Sequence, residues 1–152
     1  MSYKILEKQL QHKFKDLTHA KVCSVYTTPV NMLWLKLEIG KLYYELIFDG
    51  FWLIEKNKKI ILINQDFYEE NEKDFMLRLS NTIESLRQDL AQIERVNIGE
   101  NWGYIELVFN QDYILLAEPN QFGYVGLNDL KDKKAYSVVT ECKNLFFEEP
   151  YS

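Results

Sequence analysis

Apolar and polar positions repeat along this chain with two alternating periods. Leu6, Leu10, Phe14 and Leu17 recur at steps of three and four, which predicts an amphipathic helix over residues 3–18. From residue 21 the composition shifts to β-formers, and Pro29 and Asn31 mark a turn. In residues 32–39, Leu33, Leu35, Leu37 and Ile39 alternate with Trp34, Lys36 and Glu38, the period-two signature of a strand. Gly40-Lys41 suits a type II′ hairpin and Asp49-Gly50 a type I′ hairpin, so strands are expected at 42–48, 51–55 and 59–63. Helical spacing returns over residues 71–95 in Phe75, Leu79, Ile83, Leu86, Leu90 and Ile93, with Asn71 placed as N-cap. Strands follow at 102–109 and 112–118, then a short edge strand at 122–127 after Pro119-Asn120. Val138, Val139, Cys142, Leu145 and Phe146 predict a C-terminal helix with Asp132 as cap.

The expected fold is therefore α+β, with antiparallel β-meanders and three helices. Their order is helix, four or five strands, helix, three strands, helix. No linker rich in Gly, Ser or Pro interrupts residues 1–152, so one domain is expected. Trp34-x-x-x-Glu38 and Trp102-x-x-x-Glu106 give the two strand groups a faint likeness.

Two-residue hairpins fix strand register, and register assigns faces. With Gly40-Lys41 as the loop, Lys36 faces Glu45, Leu35 faces Leu46 and Trp34 faces Ile47. With Asp49-Gly50 as a second loop, Ile47 would face Trp52. One face then stacks leucines and phenylalanines as core. The other carries a Lys36–Glu45 ion pair beside a row of Trp34, Ile47 and Trp52. Either a helix or a second layer covers that row, or it is the candidate partner-binding surface or a homodimer interface, because contiguous exposed aromatics mark interaction sites.

Composition narrows the function classes. The 152 residues carry a net charge of −5 and no long basic run, which disfavours a nucleic-acid partner and favours a basic protein. No stretch is apolar for long enough to span a bilayer and no signal peptide is recognisable, so the expected compartment is the cytoplasm. Cys23 and Cys142 have no zinc or redox spacing. His12, Asp16 and His19 share one side of the first helix, but it lies opposite the apolar stripe, and the reading is a solvated face rather than a metal site. There is no GxSxG elbow and no phosphate-binding glycine loop. No catalytic residue, cofactor or metal is expected.

In size, acidity and lack of catalytic motifs the chain resembles the small immunity proteins of bacterial toxin–immunity pairs. That resemblance implies a protein that binds and neutralises a cognate, basic toxin. The order of helices and meanders is also similar to class I chaperones of type III secretion, which would imply a dimer holding a secreted effector. A small-ligand binder or a cryptic enzyme is the third class; an enclosed apolar cavity with convergent polar groups would distinguish it.

Overall fold

A computed structural model describes residues 3–27, 32–119, 124–139 and 144–150. The chain is α+β, built on a curled antiparallel sheet of ten strands. Helix α1 spans Tyr3–Lys15, β1 Lys21–Thr27, β2 Met32–Ile39, β3 Leu42–Lys56 and β4 Lys59–Ile63. The four-residue α2 (Asp66–Glu69) and the long α3 (Glu72–Gln88) come next. Strands β5 (Ile93–Ile98), β6 (Ile105–Phe109), β7 (Tyr113–Pro119), β8 (Tyr124–Asp129), β9 (Lys134–Val139) and β10 (Asn144–Pro150) complete the order.

The 15-residue β3 is the spine. Its first half lies between β2 and β8, and its second half between β4 and β7. One arm is therefore β1-β2-β3-β8-β9-β10, and the other is β4-β3-β7-β6-β5. The two longer helices bridge the arms. Helix α1 packs on β5 of one arm and on β9 and β10 of the other, while α3 packs on β1 and on β4. Leu10, Phe14 and Leu17 from the first segment, and Phe75, Leu79, Ile83 and Leu86 from α3, share one core with Leu35, Leu46, Phe48, Trp52 and Ile54 of the sheet. Inside that core Phe14 meets Trp102 edge-on at 5.3 Å, and Trp52 meets Phe75 at 6.2 Å.

Five sequence expectations about the fold are corrected. Asp49-Gly50 is not a hairpin. Gly50 lies inside β3 with φ at 149°, a value open to glycine, at the point where the spine passes from one arm to the other. The buried Asn64 side chain donates to the Gly50 carbonyl at 3.1 Å, and its N–H donates to the Trp52 carbonyl at 3.0 Å.

The second helix ends at Gln88 rather than at 95, and Ile93 opens β5. Leu90 takes φ at 55°, its N–H donating to Arg87 and that of Ala91 to Leu86, with Leu86 and Ala91 both buried. This is a Schellman motif with leucine where glycine is usual.

The expected C-terminal helix is the β9–β10 hairpin, in which Val138 pairs with Leu145 and Phe146 with Ser137. Tyr136 and Val138 alternate into the core with strand periodicity. Cys142 lies outside the described residues. The expected edge strand begins at Tyr124 and is internal, paired to β3 on one side and β9 on the other. The likeness of the two halves fails as well. Trp34 sits in mid-strand, whereas Trp102 is buried in a one-turn 3-10 helix ahead of β6.

Candidate functional site

Side chains alternate along β3, so its odd-numbered residues face away from both helices. Ile47 and Leu53 are buried yet stand apart from the helix-packed core, which marks a second apolar layer on the convex side of the sheet. Trp34 faces Ile47 in the observed register, as the first hairpin predicts. Trp52 does not join them. With Asp49-Gly50 inside a continuous strand, residues 47 and 52 are five apart and point to opposite faces. Trp52 pairs with Ala117 and is fully buried in the helix-packed core.

Two residues that sequence reasoning missed complete the row. Tyr26 of β1 pairs with Trp34 and is 58% exposed. On the other side Ile47 pairs with Gly126 of β8, and the ring of Tyr124 lies over that glycine, where any Cβ would collide with it. Four adjacent strands thus present Tyr26, Trp34, Ile47 and Tyr124 side by side. The glycine is explained by the aromatic ring laid on it.

One register step along, the row is polar. Lys36 faces Glu45 as expected, but the two do not form the expected ion pair. The Lys36 ammonium lies 5.1 Å above the Tyr43 ring, and Glu45 Oε1 instead accepts from Asn128 Nδ2 at 3.1 Å. On the second arm the convex face carries Leu53 flanked by Ile63 and Leu116. Glu55, Glu106 and Glu118 border it, with Glu106 held by Asn97 at 2.8 Å. Arg95, opposite Val108, stands on the same face, so the apolar centre has a mixed border of carboxylates and one guanidinium.

Other polar groups sit at junctions between elements. Tyr113 donates its hydroxyl to Asp89 Oδ2 at 2.7 Å, and Lys56 stands 3.7 Å from the same carboxylate and 4.1 Å above the Tyr113 ring. Burial, then Asp89, pushes the Tyr113 phenol up to about 12. Lys13 lies 4.9 Å over Tyr136 and 5.8 Å over Tyr44, and burial also raises Tyr136 to about 12. Arg78 reaches Asp66, Glu70 and the Ile61 carbonyl, tying α2, α3 and β4 together.

The concave clefts are small. Three shallow depressions of about 190, 310 and 240 Å³ follow β1; the first shares Lys21 and Glu38 with the second and Arg87 with the third. Cys23 lines one of them. Burial first, then Glu38, raises its thiol pKa, the reverse of what an activated nucleophile needs. His12 and Asp16 approach to 3.9 Å on an exposed turn. His19 lies beyond the helix with φ at 78°, and its N–H is committed to the Ile93 carbonyl. Among the described residues no helix is long and apolar enough to cross a membrane. Comparison with protein-family models, with curated proteins and with solved structures finds no match.

Proposed function

We propose that this chain is a non-enzymatic protein-binding protein of the immunity type, which docks on a basic toxin through the convex face of its sheet and neutralises it. The observation that carries this reading is the row of Tyr26, Trp34, Ile47 and Tyr124. It crosses four strands on the side away from both long helices, with the carboxylate of Glu45 two residues from Ile47 on the same face. Large aromatic anchors with a polar rim are the usual energetic plan of a specific interface. The net charge of −5 favours encounter with a cationic surface. The chaperone alternative rested on the order helix, meander, helix, meander, helix, and in place of its last helix β9 pairs with β10.

Co-expression with a basic toxin encoded beside the chain's own reading frame is the test. The wild type should restore growth, and Trp34→Ala should fail to do so while remaining folded. Restoration of growth by Trp34→Ala and by Ile47→Asp alike, with both proteins folded, would remove the convex face from the function.

A further inference from the structure

Resting on that docking reading, we infer that the convex face is built to receive an arginine side chain of the partner, its guanidinium stacked on the Trp34–Tyr124 surface and paired to the carboxylate of Glu45. Three observations converge. The first is the flat aromatic floor. Because Gly126 has no side chain, the Tyr124 ring lies down on the sheet next to Ile47, with Trp34 on the strand beyond, instead of standing away from it. The second is the carboxylate. Glu45 is on the same face as Ile47, two residues away and roughly 7 Å along the strand. Asn128 fixes one of its oxygens.

The third is that this charge is not neutralised locally. Its cross-strand neighbour Lys36 is drawn to the Tyr43 ring, and among the described residues no cation is ion-paired to Glu45. A half-buried, oriented carboxylate beside an aromatic floor matches a planar, weakly hydrated cation that can bond in two places and stack at once. That describes arginine better than lysine, whose ammonium is a compact and strongly hydrated point charge.

The experiment uses the full chain labelled with nitrogen-15 and three blocked pentapeptides in which glycine alternates with arginine, lysine or citrulline. Citrulline keeps the shape of arginine and lacks its charge. The buried indoles of Trp52 and Trp102 act as internal references for Trp34. The arginine peptide should shift the Trp34 indole and Tyr124 amide signals saturably and leave the two references in place. The lysine peptide should bind more weakly and the citrulline peptide should have no effect. Glu45→Gln, nearly isosteric, should weaken arginine binding roughly threefold or more with the rest of the spectrum preserved. Equal shifts from citrulline, or arginine affinity unchanged in Glu45→Gln, would overturn the cradle. If the peptide leaves Trp34 unmoved while Trp34→Ala still abolishes neutralisation, the docking face stands and the arginine cradle falls. If the peptide binds as described while neutralisation ignores Trp34→Ala, the cradle stands and the docking reading falls.

Discussion

At the scale of single residues, the three tryptophans divide the molecule by role. Trp52 and Trp102 are interior, one against Phe75 and the other against Phe14, and Trp34 alone reaches the convex surface. Equivalent substitutions should therefore have opposite consequences. Trp52→Ala removes a fully buried ring, and an aromatic-to-alanine change in a core costs about 3–5 kcal/mol. Trp34→Ala removes a partly buried ring backed by no helix and should cost less, about 1–2 kcal/mol. Urea unfolding of the two variants side by side checks this, and similar losses would mean that the convex row is structurally equivalent to the core. The sequence placed Trp34 and Ile47 correctly because Gly40-Lys41 is a true two-residue turn, with Gly40 at a φ of 59°. It misplaced Trp52 because Asp-Gly is the strongest short hairpin signal, and nothing local distinguishes a hairpin glycine from one that bends a long strand. Tyr26 went unseen for a different reason. Its register to Trp34 passes through a bulge between Val22 and Ser24, which no alternation rule anticipates.

At the scale of elements, the two amphipathic helices and the first hairpin were legible because each carries a long, unbroken period. The ends were not. Helical spacing continues by coincidence from Leu86 through Leu90 to Ile93, although the helix has closed at Gln88. The stop is a Schellman turn whose left-handed position holds Leu90 rather than the glycine that would have announced it. The C-terminal strand pair was misread because Val138, Cys142, Leu145 and Phe146 fit a helical template, although Val138 and Leu145 are antiparallel partners. Leu90 is thus doubly ill-suited to its place, being left-handed and 66% exposed. Leu90→Gly should remove about 1–2 kcal/mol of backbone strain and give back about 0.5–1 kcal/mol in unfolded-chain entropy, a net stabilisation of up to about 1.5 kcal/mol. The midpoint of chemical unfolding should rise. A fall would show that Leu90 makes contacts worth more than its strain.

At the scale of the whole molecule, stability depends on how two sheet arms are joined, since among the described residues they share β3 and are bridged by α1, by α3 and by backbone hydrogen bonds between residues 19–20 and Ile93. A buried tyrosine stands at each helical bridge. Tyr113 of the second arm donates to Asp89 at the end of α3, and Tyr136 of the first arm lies with Tyr44 around Lys13 of α1. Both phenols are raised from 10 to about 12, chiefly by burial, so the folded state holds them neutral more strongly than the unfolded state does. The sign follows from that. Their contribution is fully present below pH 10 and is lost as pH climbs from 10 through 12, on the order of 2 kcal/mol for each tyrosine. Unfolding free energy should be insensitive to these groups near neutrality and should drop steeply over that alkaline window, with phenolate absorbance rising in step. Asp89→Asn should separate the two junctions. It removes the charge and weakens the acceptor that help to raise Tyr113, so that phenol should titrate below 12 yet stay above 10, because burial, the larger cause, remains. Tyr136 should be unmoved, since its shift owes nothing to Asp89. If both phenols fell together in Asp89→Asn, the two bridges would be coupled through the spine rather than independent, and alkaline unfolding would report a single junction.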